Sequence, residues 1–235
     1  MRASLARASL LIGLVAGLPS WSATPCGQVR SGTVMAVDPL LIPAGHPQPE
    51  PPSDYRHRLQ TTPLGWPLQS TWCVWVEPAD SESPPSRSTQ RWLKAVAGAL
   101  KEWQQLLPIV LVNQPELAQV TIWRRRPPLR WDAKGRPRAS HGRASLSLQK
   151  RGEGAPPLVE PRVEVLIGAG QRQEALQATA LHELGHAFGL WGHSDEHGDA
   201  MAASPGATPV LQLSVRDRRT LEWLYGQPSR LGSGP

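Results

Sequence analysis

Only two cysteines occur in the 235 residues, Cys26 and Cys73, so at most one intrachain disulfide can form. Phenylalanine (one) and tyrosine (two) are nearly absent, against ten tryptophans. Several of those tryptophans fall inside periodic segments, which assigns them to a core or to a groove lining. Long apolar runs are missing except at the N-terminus. Even that run is too short for a comfortable membrane span, because a helix needs about 20 apolar residues to cross a bilayer. Acids are scarce where bases crowd: Trp123 to Gly152 holds ten Lys or Arg and a single acid, Asp132. Such a stretch either attracts an anionic surface or substrate, or is a solvated loop of a basic protein. It lacks the aromatic interleaving of a nucleic-acid module, so no specific nucleic-acid partner is expected.

The N-terminus has a direction of its own. "MRASLARASLLIGLVAGLPSWSA" places Arg2 and Arg7 before an apolar run from Ala8 to Leu18, then small residues at Ser20 and Ser22. This is the layout of a secretory signal over residues 1–23, and it predicts a secreted or periplasmic protein. An uncleaved leader acting as an anchor stays open; a lipid anchor at Cys26 is disfavoured by Pro25. In an exported protein Cys26 and Cys73 can pair, or Cys26 can stay a free terminal thiol. Seven prolines between Asp38 and Pro63 mark 24–65 as an extension, either a linker or a wrapped arm.

Regular structure is expected from residue 66. "TWCVWVEP" (71–78) alternates as a strand, and Trp92, Val96, Leu100, Trp103 and Leu107 trace one face of a helix stopped by Pro108. Four short strands follow, at 109–113, 119–124, 143–150 and 162–168. A second helix covers 171–190. A third runs from Ser214 to Tyr225, with Asp217 at capping-box spacing, and 229–235 reads as a flexible tail. There are no internal repeats.

Four of the seven histidines lie within "HELGHAFGLWGHSDEHGDAM" (182–201). One reading is a polar surface helix entering a loop; the other is a metal site. On a helix His182 and His186 stand about 40° apart, so two imidazoles can share one zinc ion. Glu183 is displaced from the ion and suits a general base toward a water. Gly189 can turn the chain back through a left-handed conformation, bringing His193 near as a third ligand.

These residues resemble a family. "HELGHAFGLWGHS" followed by Met201 is similar to the metzincin zinc metalloproteases and, within them, the matrixins, whose HExxHxxGxxH motif supplies three zinc histidines above a Met-turn. "LSVRDRRTLEWLYG" (213–226) resembles the matrixin C-terminal helix, and the order of elements is the family's over about 66–228. The resemblance implies an α+β, zincin-like catalytic domain: a twisted, five-stranded, mostly parallel sheet with two long helices, the active-site helix, the Met-turn and the C-terminal helix. It also implies one catalytic Zn2+ on His182, His186 and His193, Glu183 as base and Met201 as a structural floor. Substrate peptides would pair with the edge strand at Ala144, Ser145 and Leu146, within a free edge from Ala144 to Leu148. Arg143, Lys150 and Arg151 beside that edge would favour acidic substrates.

The departures are specific. Gly192 stands where the family spacing puts the third ligand, so one residue, Trp191 or Gly192, is inserted; the spacing to Met201 is then restored, which favours His193 over His197. The cysteine-switch segment, the wall of the specificity pocket after Met201 and the residues for structural calcium or zinc have no match, and no Asp lies between Asp132 and Asp195. The expectation is a secreted, monomeric zinc metalloendopeptidase acting on protein or peptide substrates, with Glu183 activating a zinc-bound water. Two other classes stay open: an inactive zinc-containing binding protein, and a basic adhesion protein for anionic polymers.

Overall fold

The computed structural model describes residues 26, 32–36, 41–44, 53–79, 84–131, 133–151, 158–204 and 206–231; the expected signal segment 1–23 lies outside them. The strands are β1 (Val34–Ala36), β2 (Ile42–Pro43), β3 (Gln60–Thr61), β4 (Trp72–Val76), β5 (Ile109–Leu111), β6 (Val120–Trp123), β7 (Arg130–Trp131), β8 (Pro137–Arg138), β9 (Gly142–Arg151) and β10 (Leu158–Ile167). The helices are α1 (Arg87–Trp103), α2 (Gln173–Ala187) and α3 (Val215–Tyr225).

The main sheet has the order β1-β9-β10-β6-β4-β5. Its five inner and right-hand strands are the expected ones. β5, β4, β6 and β10 run parallel, and β9 returns antiparallel to β10 across the full length from Gly142 to Arg151. The sixth strand, β1, comes from the proline-rich extension and pairs antiparallel with Ser147–Gln149. Short three-residue β1 carried too little alternation to be read from sequence.

Helices α1 and α2 pack on the sheet and on each other. α1 starts at Ser86, whose side chain accepts the Thr89 N–H, and buries Trp92, Val96, Ala99, Leu100 and Trp103. The indole N–H groups of Trp92 and Trp103 donate to the Ile167 and Leu181 carbonyls at 3.0 and 3.1 Å. Removing an indole of this kind costs roughly 3–5 kcal/mol. Not every tryptophan is buried: Trp131, on the β7–β8 hairpin, is 68% exposed.

Part of the extension is docked. Tyr55 and Leu59 are fully buried in the common core, and Cys26 is disulfide-bonded to Cys73 in β4. At the other terminus, the Ser229 hydroxyl donates to the Trp66 carbonyl and Leu231 is buried, so 229–231 of the expected tail also pack. In the basic stretch, Arg125 lies over Trp123 and Arg124 over Trp92, while the Arg124 N–H donates to Glu77. These cations serve packing as well as charge.

Asp217 ties the C-terminal half together. The capping box predicted at Ser214 is present with both halves formed. The same buried carboxylate also accepts from the Tyr55 hydroxyl at 2.7 Å, the Ala200 N–H at 2.8 Å and the Met201 N–H at 3.4 Å. Asp217→Ala should lower stability by on the order of 3 kcal/mol, because it leaves buried donors unpaired. Ser214→Ala, which removes a single cap, should cost about 1 kcal/mol. Chemical denaturation of the two variants checks the ranking.

Candidate metal centre

Helix α2 is not a surface helix. From Ala180 to Ala187 only His182 is more than slightly exposed, and Glu183 and His186 sit inside with Leu181, Leu184 and Ala187. Buried polar side chains need partners. His182 has one in the Ala200 carbonyl at 2.9 Å from Nδ1, and His186 has one in the Leu190 carbonyl at 2.8 Å. A carbonyl can only accept, so each Nδ1 carries the proton and each Nε2 is left with a lone pair. This backbone anchoring of the far nitrogen is how metal-ligating histidines are oriented.

The turn after α2 is built from two devices. The Gly189 N–H bonds to the His186 carbonyl and the Leu190 N–H to the Gly185 carbonyl, closing a Schellman motif with Gly189 at φ +108°. The next two bonds are shorter loops, from the Trp191 N–H to the Gly189 carbonyl and from the Gly192 N–H to the Leu190 carbonyl. Successive three-residue turns of this type shorten the path from Gly189 to His193. The chain reaches His193 in position. Nitrogen atoms of His182, His186 and His193 all lie within 4.8 Å of one another, so the three can hold one metal ion. His197 lies apart, with Nδ1 3.3 Å from the Ser204 carbonyl.

Burial holds the imidazoles neutral. Desolvation brings His182 down to about 4 and lowers His186 well below its usual range, with the neighbouring histidines adding to the effect; His193, more exposed than the other two, is lowered by partial desolvation alone. Neutral imidazole is the form that binds metal, and three nitrogens with an open fourth position suit zinc. Glu183 moves the other way. Burial raises its carboxyl to about 7, against the opposing pull of the Ala144 N–H, Arg143 and Arg130. Met201 is fully buried against the same helix turn, and a Cβ on Gly185 would collide with its sulfur.

Around these residues is a cleft of about 820 Å³ lined by Gly142, Arg143, Ala144, the three histidines, Glu183 and Trp191. A second cavity of about 520 Å³ shares His182 and Glu183 and is bounded by Ala175, Thr179, Ala202 and Val210. The Matrixin family model matches residues 129–226, from β7 to the end of α3. Over these residues the chain is similar to the matrixins. No curated protein matches it at a significant level. The match, covering less than half of the chain, supports a metalloprotease, and the histidine cluster supplies the place for its ion.

Several residues of this matrixin-like site were not visible in the sequence. Trp191 stacks on His186, with ring centroids 5.5 Å apart. The loop from His193 to Met201 is held by Arg216, which reaches Asp195 at 2.9 Å and Asp199 at 3.4 Å, and by Arg58, which reaches Asp195 at 3.2 Å. Arg216 and Arg58 are ordinary surface cations in one dimension; only a signal linking distant segments could have marked them. The expected edge from Ala144 to Leu148 is shortened. Lys150 donates to Thr33, so by alternation Leu148, Leu146 and Ala144 direct backbone groups outward while Ser145 and Ser147 turn toward β10. β1 takes Leu148. Ala144 and Leu146 remain without a strand neighbour on that side among the described residues.

Two measurements follow. His193→Ala should lower zinc affinity by more than about 100-fold, as loss of a metal-site group does; His197→Ala should leave it unchanged, by metal analysis after dialysis. The second concerns the metal-free protein. Between 4.5 and about 7 the folded chain keeps a proton on Glu183 that the unfolded chain releases, so this group removes stability as pH rises. Histidines with lowered values act oppositely, losing stability as pH falls below 6.5. Glu183→Gln isolates the first effect: it should be more stable than the parent at pH 8, by up to roughly 3 kcal/mol, and gain less at pH 4.5. Thermal melts at both pH values read it.

Proposed function

We propose that the chain is a secreted zinc-dependent metalloendopeptidase. The observation that carries this reading is the meeting of three neutral imidazoles and one carboxyl of raised pKa on a single open cleft. A zinc ion bound there supplies Lewis acidity toward the scissile carbonyl and the attacking water. His182, His186 and His193 hold it, and the Ala200 and Leu190 carbonyls fix the ring orientations.

Glu183 is the general base. Its carboxyl, with a pKa raised by burial, takes a proton from water and returns it to the leaving amine. Met201 is a packing floor. Its sulfur lies against the helix backbone at Gly185, and a thioether is a poor partner for this ion beside three imidazoles. An extended peptide pairs with the outward backbone groups of Leu146 and with the Ala144 carbonyl, the Ala144 N–H being turned to Glu183, and Ser145 between them supports the strand from inside the ladder. Arg58, Arg130 and Arg143 line the cleft with Glu183 as its one acid among the described residues, which favours acidic substrates. The disulfide and the leader-like N-terminus support export.

Cleavage of an unbiased peptide library by the zinc-loaded protein tests the reading. Glu183→Gln should keep zinc and lose on the order of 100-fold or more in kcat/KM. Cut sites should be enriched in neighbouring acids at low salt and less so at high salt. A Glu183→Gln protein cutting at the parent rate would remove the mechanism.

A further inference from the structure

The edge strand of the cleft is already partly occupied by the chain itself. β1 lies antiparallel on β9, with Val34 opposite Gln149, Met35 opposite Leu148 and Ala36 opposite Ser147. The Thr33 carbonyl accepts the Lys150 N–H in the same ladder. β1 points toward the metal centre, and a few residues on, Leu41 lines the catalytic cleft beside Arg58 and Gln60. Those two come from the arm that β2 and β3 pair together and that the Gln60 N–H fastens to the Trp191 carbonyl at 2.6 Å. Upstream, Cys26 is tethered to Cys73. The described parts of the N-terminal segment thus reach one end of the cleft, with attachments at Cys26 and at Gln60.

A peptide laid antiparallel on the remaining edge of β9 runs in line with β1, its N-terminal side facing Ala36. Antiparallel pairing is the more stable arrangement and is the one this edge already uses. The reacting centre lies opposite Ala144, whose N–H faces the Glu183 carboxyl. Between that point and Ala36, at most the positions opposite Ser145 and Leu146 are left among the described residues. At about 3.3 Å per residue this is roughly 7 Å of strand.

We propose that β1 is a built-in stop that sets how much substrate can pair on the N-terminal side of the cut. It selects peptides whose chain ends, or turns out of the sheet, two or three residues before the scissile bond. This rests on the peptidase reading and adds a substrate class to it. β1 acts by occupying hydrogen-bonding positions and makes no contact with reacting atoms, so it is a specificity element and not a catalytic one.

The test uses acetylated peptides that share one cleavable sequence and grow by single residues on the N-terminal side, with a matched series growing on the C-terminal side. For the zinc-loaded parent, kcat/KM should level off after about three N-terminal residues. Two variants release the stop: Met35→Pro, which removes the N–H that pairs with Leu148, and the double variant Cys26→Ser/Cys73→Ser, which removes the tether. Hydrogen exchange at the Leu148 and Lys150 amides, the two that face β1, reports the release independently of activity. In a released variant the longer peptides should gain about fivefold for each added backbone hydrogen bond, while the C-terminal series stays unchanged. A parent that keeps gaining with length, or a variant with exposed Leu148 and Lys150 amides and an unmoved plateau, overturns the proposal. Binding of the same series to zinc-loaded Glu183→Gln separates the two ideas. Binding that levels off, with no peptide cut by the parent, removes the peptidase reading and keeps the stop; binding that grows with length removes the stop, as does absence of any binding.

Discussion

The carboxylate of Asp217 is where three distant parts of the chain meet: the Tyr55 hydroxyl from the arm, the Ala200 and Met201 amides from the Met-turn, and the Ser214 amide at the start of α3. The donors on Tyr55, Ala200 and Met201 are buried, and a buried donor without a partner costs roughly 1–3 kcal/mol. One acceptor therefore fixes several segments at once. Because the Ala200 N–H is held by Asp217, the Ala200 carbonyl is placed to receive Nδ1 of His182. The orientation of a metal-facing imidazole thus depends on a carboxylate outside the metal site.

Around that anchor the site is organised by desolvation. Placing His182, Glu183 and His186 on a helix packed between the sheet and the Met-turn disfavours charge on all three. For the histidines that keeps the lone pairs that a metal needs. For Glu183 it brings the proton affinity to the range where a group can both accept and donate near neutrality. A surface helix with the same five residues would have left the imidazoles free to protonate near 6.5 and the carboxyl ionised. The burial of α2 also weighs against the adhesion alternative, which needs only a basic surface, and part of that basic surface is taken up by Trp92, Trp123 and Glu77.

The loop from His193 to Met201 uses a different device, ion pairs at its rim. Arg216 and Arg58 converge on Asp195, lowering its pKa, while Ser194 donates to Asp199 at 2.5 Å beneath. Exposed pairs of this kind contribute little stability one by one, but several sharing a partner restrict a loop's freedom. They bind the third histidine's segment to the arm and to α3. The arm is therefore part of the wall of the cleft, not a spacer in front of it.

Local chemistry decided what could be read in one dimension. The helical spacing of His182 and His186, the need for a flexible residue at Gly189, the alternation of 143–150 and the Ser214–Asp217 cap each depend on residues within a few positions of one another. So the α+β order and the cluster of His182, His186 and His193 were legible. The rest rests on contacts between residues far apart in sequence: Tyr55 with Asp217, Arg58 with Asp195 and β1 with β9. No periodicity announces those partners, because a proline-rich arm has no regular face to show. Its attachment to the edge strand and the cleft was settled only when backbone groups and buried hydroxyls at distant positions had to find one another.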